Sequence, residues 1–327
     1  MSTTVAAVTP ERILKELSEL WTSLGKEQDA GVLRACAMTM IVAAEESMDT
    51  VPITETIGEL MHDHPSRAIV LRVRPCLEQV LESRVYAQCW MPFGRRQQIC
   101  CEQIELITSE SSLAEVPRLM LGLLAPDLPV VLICRSPRLF TLPGFDAMLP
   151  IADKIIVDSE DTTQPLALLE SIAARNHAGH RVLDLAWTRL TQWRETIAAE
   201  FDNPETLGHL GGLRKITIAH RRQSVNSEAW YLAAWLRRAG GPAVEIKLQA
   251  GASKEAIELV LFNGAGLHLS ITRGAGSALH VVVDAHAKSV PFRAMTDWDL
   301  LREELAIAGR DKIYDEVLTE AIRIAKR

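Results

Sequence analysis

A chain of 327 residues is long for one compact core and favours two domains. Hydrophobic residues make up 48% of the chain and charged residues 24%, which is the balance of an ordinary globular protein. The net charge of −7 argues against a nucleic-acid-binding scaffold, because such proteins present a basic face to phosphates. No apolar run reaches the roughly 18 residues of a membrane span, so we expect neither a nucleic-acid nor a membrane partner.

The first half of the chain predicts alternating strands and helices. Pro10 behind Thr9 is typical of a helix start, and Pro65 ends a second predicted helix. The strand–helix–strand–helix order through residues 127–177 indicates βαβ units on a partly parallel sheet. The predicted elements are a helix at 9–21, a strand at 32–45, a helix at 51–65, strands at 67–74, 80–92 and 97–107, a helix at 112–124, strands at 125–134 and 153–161, and a helix at 164–177.

The second half predicts helices packed around an antiparallel meander. Two Gly-Ala-Gly turns, at 264–266 and 274–276, separate segments of alternating polarity, and their glycines suit backbone with positive φ. The pattern breaks at 178–183, so we expect an N-terminal α/β domain at 1–180 and a C-terminal α+β domain at 181–327. The predicted fold class is α/β, with a Rossmann-like mixed sheet and helices followed by an α+β domain that carries the meander.

The six cysteines predict reduced thiols in a cytoplasmic protein. They lie mostly inside apolar runs and show neither metal-binding nor disulfide spacing. The adjacent pair Cys100-Cys101 points to opposite faces of a predicted strand, so a bond between these two would strain the backbone. The N-terminus also lacks the basic start and long apolar core of a signal peptide.

No motif for a dinucleotide or a phosphate loop is present, since no glycine-rich turn joins a first strand to a helix. The most enzyme-like cluster is His-Asp-His-Pro-Ser-Arg at 62–67. Its two histidines could ligate a metal, and Ser66 with Arg67 could hold an oxyanion. A turn that ends the preceding helix and a contact with an anion or a partner are the alternatives. No catalytic residue and no cofactor is predicted.

The string Asp-Leu-Ala-Trp-Thr-Arg-Leu-Thr-Gln-Trp-Arg-Glu at 184–195 combines an apolar stripe with two arginines. As one helix, Leu190, Trp193, Ile197 and Phe201 form a stripe that predicts core packing. Arg189 and Arg194 lie about 140° apart on that helix, so one face cannot hold both. Spacing would instead allow Arg189 to contact Trp193.

Several stretches together resemble the glucose-6-phosphate dehydrogenase assembly protein family, OpcA. They are His-Pro-Ser-Arg-Ala-Ile-Val-Leu at 64–71, Cys-Glu-Gln-Ile-Glu-Leu at 101–106, Pro-Asp-Leu-Pro-Val-Val-Leu at 126–132 and the string at 183–195. Their order and spacing fit the family over roughly residues 35–325. The chain departs from the family pattern at Ile133-Cys134, where aromatic residues are common, and at Gln192, where proline is common.

The resemblance implies a non-catalytic cytoplasmic protein that binds glucose-6-phosphate dehydrogenase and promotes its active oligomer. That enzyme feeds the oxidative pentose phosphate pathway with NADPH. The residues of the matching stretches are the candidates for the partner surface or the hinge behind it, namely Trp187, Arg189, Arg194, His64, Ser66 and Arg67. The alternative is a sugar-phosphate-binding enzyme or sensor that uses the α/β domain, with Ser66 and Arg67 on the anion.

Overall fold

The computed structural model describes residues 8–27, 32–91, 98–160, 162–221, 224–274 and 276–327. The chain forms two compact units, and each unit is built from two stretches of sequence. Residues 1–158 and 175–183 make the first, which we call the N-terminal unit. Residues 159–174 and 184–327 make the second, the C-terminal unit.

The first part of the chain forms a sheet and several helices, of which the last helix, α5, belongs up to Ala174 to the C-terminal unit. These elements are α1 (Pro10–Glu27), β1 (Val32–Arg34), β2 (Met38–Glu45), α2 (Thr50–Asp63), β3 (Ser66–Arg74), β4 (Leu81–Trp90), β5 (Gln98–Ser109), α3 (Val116–Leu121), β6 (Val130–Cys134), α4 (Pro137–Phe140), β7 (Lys154–Val157), α5 (Pro165–His177) and β8 (Val182–Asp184). Two 3₁₀ segments, Glu110–Glu115 and Pro143–Ile151, precede α3 and β7.

The sheet of this layer has the strand order β1-β5-β3-β2-β6-β7-β8, with β4 on β5. The pairs of β2 with β3 and β6, and of β3 with β5, are parallel, whereas β4 runs antiparallel to β5. The central strands are buried along almost their whole length, as parallel strands covered on both faces must be. The predicted α/β class with a mixed sheet is confirmed.

Two predicted elements of this layer differ in the structure. The strand expected at 32–45 is two strands, because β1 pairs with β5 and β2 pairs with β3, so the chain changes neighbour between them. The helix expected at 112–124 is regular only from Val116 to Leu121. Pro117 has no backbone N–H and its ring crowds the preceding turn, so an α-helix cannot run through it from the 3₁₀ segment.

The prediction of reduced cysteines is wrong for one pair, because Cys89 and Cys100 form a disulfide. They stand directly opposite each other on antiparallel β4 and β5, with Cα atoms 4.1 Å apart. Directly opposite residues of antiparallel strands have closely spaced side chains, so pairing needs no backbone movement. Cysteine spacing does not predict this pair, because it carries no information about the register of two strands. Cys36, Cys76, Cys101 and Cys134 are free.

The rest of the chain forms helices and a second sheet. The elements are α6 (Leu185–Thr188), α7 (Thr191–Phe201), α8 (Pro204–Gly208), β9 (Leu213–His220), α9 (Ser227–Gly240), β10 (Glu245–Ala250), β11 (Ile257–Gly264), β12 (Leu267–Arg273), β13 (Ala278–Val283), β14 (His286–Pro291), α10 (Asp297–Ala306) and α11 (Lys312–Ala325). The strand order is β10-β9-β11-β12-β13-β14. Only β9 and β10 are parallel among the described strand pairs of this sheet.

The predicted meander is confirmed, since β11 to β14 pair antiparallel in chain order. The turns at 264–266 and 274–276 carry Gly266 at φ +72° and Gly276 at φ +92°. An L side chain rarely adopts such a φ, which explains why each turn ends in glycine. In the part of the chain that the structure describes, no helix is both long and apolar enough to cross a membrane.

Candidate functional site

Residues 184–201 form two consecutive helices, α6 and α7, with a break at Arg189 and Leu190. Asp184 starts α6 by accepting a hydrogen bond from the backbone N–H of Ala186 at 3.1 Å. The predicted apolar stripe is confirmed as core for Leu190, Trp193 and Ile197, with exposed fractions of 1%, 4% and 2%, whereas its last member, Phe201, is half-buried. Because of this break, the side chains at 184–188 and those at 191–201 do not follow the angular spacing of one continuous helix.

The Asp184 carboxylate joins three segments of the C-terminal unit. It is fully buried and accepts hydrogen bonds from the Ser159 backbone N–H at 3.1 Å, the Ser159 hydroxyl at 2.6 Å and the Tyr231 hydroxyl at 3.0 Å. Burial, with the nearby Asp184 charge, raises the pKa of Tyr231 well above its ordinary value, so this phenol stays a donor. The carboxylate therefore joins the start of α6 to Ser159 and to Tyr231 of α9.

Trp187 and Arg194 stack on each other. The guanidinium carbon of Arg194 lies 3.5 Å from the centre of the Trp187 ring, and the indole Nε1–H donates to Asp311 at 3.2 Å. Trp187 is only 3% exposed, whereas Arg194 is half-buried and donates to the Thr191 hydroxyl at 2.9 Å. Burial lowers the pKa of Arg194, and the acidic Asp311 opposes that shift.

The structure shows a guanidinium–indole contact of Arg194 with Trp187, and the contact of Arg189 with Trp193 stays a prediction from the spacing. Arg189 lies in the break and Trp193 lies in α7, so the i,i+4 relation of a continuous helix does not join them. Trp193 packs edge-on against Phe292, with ring centres 5.9 Å apart. The side chain of Arg189 is 18% exposed and pairs with Glu160 at 3.1 Å.

His64, Ser66 and Arg67 lie in the N-terminal unit, at the junction of α2 and β3. The helix ends at Asp63, and the His64 backbone N–H closes the last turn on the Leu60 carbonyl at 2.7 Å, so the helix-terminating interpretation holds. His64 is half-buried, while Ser66 is fully buried and Arg67 is 7% exposed. Among the described residues, no group of three or more potential metal ligands comes together here.

The charge of Arg67 is already paired. Its Nε–H donates to Glu102 at 2.6 Å, and its Nη1–H donates to the Leu123 carbonyl at 2.7 Å. The same Glu102 carboxylate accepts from the Trp21 indole at 2.8 Å and pairs with Arg34. A guanidinium that is buried and neutralised in this way has little capacity for an incoming anion, which does not favour a sugar-phosphate site at Ser66 and Arg67.

The six candidate residues thus fall into two groups in different compact units. Sequence reasoning missed the residues that organise the C-terminal group, since Asp311 lies 124 positions from Trp187 and no local pattern links them. Asp184 could have been found as an acidic residue at a helix start. Nothing in the sequence around Glu228 marks it as a buried carboxylate, although it is 1% exposed.

Two family models match this chain. One is described as the glucose-6-phosphate dehydrogenase subunit N-terminal domain and matches residues 58–174; the other is the C-terminal domain of the same subunit and matches residues 180–318. The chain belongs to the OpcA family. Both models lie in the order that the motif resemblance implies, so the resemblance of the sequence is confirmed.

Two curated relatives are proteins provisionally named OxPP cycle protein OpcA. The one from Synechocystis sp. is 28% identical over 183 residues, or 55% of this chain, and the one from Nostoc punctiforme is 26% identical over 181 residues, or 54%. Each match spans 38% of the relative's own length.

Among solved structures, a point mutant of KijD10, a 3-ketoreductase from Actinomadura kijaniata in complex with TDP-benzene and NADP, is similar with a TM-score of 0.50. The two chains are 11% identical, and the similarity covers 90% of this chain and 96% of the ketoreductase. At this identity the likeness concerns the fold alone, which agrees with an α/β layer followed by a second sheet.

Proposed function

We propose that this OpcA-family chain binds glucose-6-phosphate dehydrogenase in the cytoplasm, promotes its active oligomer and activates it allosterically, without catalysing a reaction itself. This role would support the oxidative pentose phosphate pathway and its supply of NADPH. The observation that carries the proposal is the match of both halves of the chain to domains described as a subunit of that enzyme.

An activator of this kind works by binding one state of its target more tightly than another. The shift in the target's equilibrium is limited by that difference in affinity. A protein that binds the assembled enzyme preferentially raises the oligomer fraction and the activity together. Activation and assembly should therefore depend on the same concentration of this chain.

We assign the partner surface to the residues of the family string and to the α2–β3 junction. Arg189 and Arg194 are half-buried members of the string, and the buried Trp187 packs against the guanidinium of Arg194. Of the second group, His64 is the contact candidate, because Ser66 and Arg67 are buried. Arginine beside tryptophan is a frequent combination at the centres of protein interfaces.

The test is a titration of purified chain into purified glucose-6-phosphate dehydrogenase, with light scattering for the oligomer mass and initial rates for the apparent substrate KM. We expect the mass to rise and the KM to fall over one concentration range. If neither quantity changes up to a large excess of the chain, the proposed function is wrong.

The site assignment is tested with Arg194→Gln against Arg238→Gln as a matched control. Both variants remove one positive charge from the C-terminal unit, but Arg238 pairs with the exposed Glu316 and does not belong to the string. Arg194→Gln should raise the concentration for half-maximal activation about tenfold, which corresponds to ~1.4 kcal/mol. Arg238→Gln should leave it unchanged. If Arg194→Gln unfolds the protein, or behaves like the control, Arg194 is a structural residue and the assignment fails.

A further inference from the structure

A pocket of about 440 Å³ lies in the N-terminal unit, between α1 and strands β1, β3 and β5. The helix contributes Leu14, Leu17, Ser18, Trp21 and Gly25 to its lining. Positions 14, 18, 21 and 25 recur at steps of three or four residues, and position 17 lies beside them, so this wall is one face of the helix. The volume lies within the ~300–1,000 Å³ that is typical of small-molecule sites.

The facing wall of the pocket is charged. The charged residues of the lining are Arg34, Arg67 and Glu102, from three strands that are neighbours in the order β1-β5-β3. One Glu102 oxygen accepts from the Arg67 Nε–H at 2.6 Å, and the other accepts from the Trp21 indole at 2.8 Å and pairs with Arg34. Two guanidinium groups therefore share one carboxylate, which leaves the lining with one positive charge in excess. Four charged residues of α1 outside the lining pair with each other along the helix, namely Arg12 with Glu16 and Lys15 with Glu19.

The two arginines of this wall differ in exposure and in their contacts. Arg67 is 7% exposed, and its Nη1–H donates to the Leu123 carbonyl as well, so it belongs to the core. The side chain of Arg34 is 52% exposed, and its Nη2 group, which pairs with Glu102, makes its one ion pair among the described residues. A guanidinium has five N–H donors, so Arg34 keeps donors for a second acceptor.

Arg34 is also held in position. Its guanidinium carbon lies 5.7 Å from the centre of the Trp21 ring, within the range of a cation–π contact. The Trp21 indole is fixed in turn by its hydrogen bond to Glu102. A charged group that is oriented before binding loses little conformational freedom when a ligand arrives.

The two walls together define the chemistry of a ligand. A single negative charge would bring the charged wall to neutrality, whereas a phosphate monoester, with a charge of about −1.5 to −2 at pH 7, would be repelled more strongly by Glu102. On the helix side, Leu17 is 2% exposed and Leu14 is 37% exposed, so the apolar wall extends from the core to the surface. Such a wall favours a ligand with an apolar body.

We propose that this pocket binds a small organic acid, with its carboxylate on Arg34 and its apolar body against Leu14, Leu17 and Trp21. Arginine is well suited to a carboxylate, because its planar fork can donate two parallel hydrogen bonds. The pocket lies within one compact unit, so the proposal does not depend on activation of the dehydrogenase.

Titration calorimetry on the full chain tests the proposal with three probes, which are benzoate, benzamide and inorganic phosphate. Benzoate carries a carboxylate on an apolar ring, benzamide has nearly the same shape without the charge, and phosphate has charge without an apolar body. We expect one site for benzoate and binding weaker by about tenfold or more for the other two, because each lacks the contacts of one wall.

Three results of this titration would overturn the proposal. Equal binding of benzamide would show that the carboxylate is not recognised, and equal binding of phosphate would show that the apolar body is not. No heat from benzoate up to about 10 mM would show that the pocket does not take such a ligand.

Variants locate the bound benzoate in the pocket. Arg34→Gln removes the partner of the carboxylate and should weaken benzoate binding about tenfold or more. Leu14→Gln makes the apolar wall polar at a partly exposed position and should weaken binding about threefold. The control is Arg84→Gln, which removes another exposed arginine of the same unit. Arg84 lies 3.7 Å from Glu105 and does not line the pocket, so this variant should bind benzoate as the parent does.

Near-ultraviolet circular dichroism checks that each variant folds. If Arg34→Gln does not fold, Arg34→Lys takes its place, since lysine keeps the charge but lacks the planar fork and should still weaken binding several-fold. A folded Arg34 variant that binds benzoate as tightly as the parent would refute the site, and so would an equal loss of binding in Arg84→Gln.

Discussion

Glu102 in the N-terminal unit and Glu228 in the C-terminal unit are buried to nearly the same degree, at 4% and 1% exposed. Their surroundings are opposite. Glu102 accepts hydrogen bonds from Arg67 and Trp21 and pairs with Arg34, whereas neither oxygen of Glu228 has a partner among the described residues. Burial alone therefore does not tell the role of a carboxylate.

The difference between the two glutamates indicates different roles for their surroundings. Around Glu102 every buried charge is satisfied inside the protein, which is the arrangement of a structural network. Around Glu228 the two carboxylate oxygens lack hydrogen-bond partners among the described residues, although both glutamates line a cavity. Substitutions in the two regions should consequently have effects of different sign and size.

The largest effect is expected from Glu102→Ala. We expect a loss of about 3–5 kcal/mol in the free energy of unfolding, because the buried Arg67 would keep its charge without its partner. Denaturant titration measures the loss. The control is Glu16→Ala, which breaks the more exposed pair with Arg12 and should cost no more than ~1 kcal/mol. The comparison fails if both variants lose the same amount.

A double variant sharpens this first prediction. Replacing Arg67 with methionine together with Glu102→Leu removes both charges and restores apolar packing in the same space. Such a replacement of a whole buried pair is often close to neutral. The double variant should therefore be more stable than Glu102→Ala. If it is less stable, the network contributes more than the pairing of its charges.

Glu228→Gln is expected to raise the free energy of unfolding, by an amount between those of the other two variants. The folded pKa of about 7 lies above the unfolded value near 4.5, so the folded state holds a proton that the unfolded state releases as pH rises. Stability of the parent is lost between those two pH values, by about 3 kcal/mol at most. The variant lacks this loss, so its advantage over the parent should grow from pH 4.5 to 7 and then stay constant.

Unfolding curves at several pH values check this prediction. The charged groups near Glu228 that bear on its titration are Arg189, Glu160 and Asp184, and all three remain in the variant. A difference between variant and parent that does not depend on pH would show that Glu228 is ionised in the folded protein. In that case the two buried glutamates would be alike in charge and differ only in their partners.

The smallest effect is expected from Arg221→Gln. The side chain of Arg221 is 26% exposed and lies 3.8 Å from Glu160, which also pairs with Arg189. We expect a loss below ~1 kcal/mol in the free energy of unfolding, as for other weakly buried pairs. A loss as large as that of Glu102→Ala would place Arg221 among the structural residues.

Local patterns predicted the fold better than the site. Strand–helix alternation indicated the parallel sheet, the glycine turns indicated the meander, and the stripe of Leu190, Trp193 and Ile197 indicated the core. These features depend on residues a few positions apart. The contact of Trp187 with Asp311 and the pairing of Cys89 with Cys100 depend instead on which strands and helices become neighbours. Spacing along the chain carries no such information.

The burial of Glu228 shows the same limit for the site. In the sequence it is an acidic residue in the first turn of a helix, where a negative charge is ordinarily favourable and exposed. Only the packing of α9 against its surroundings removes the carboxyl from water. An acidic residue in the first turn of a helix is ordinarily exposed, but Glu228 at this position lines a cavity.

The hydrogen bonds between Ser159 and Asp184 have a consequence for dividing the protein into pieces. The chain enters the C-terminal unit twice, and these two residues are the first of its two stretches. A single cut between them would separate a donor from its acceptor and would also remove residues 159–174 from the rest of their unit. A fragment beginning near residue 181 would lack residues 159–174 of its unit, and a fragment beginning at residue 159 would keep them but would also carry residues 175–183 away from the N-terminal unit.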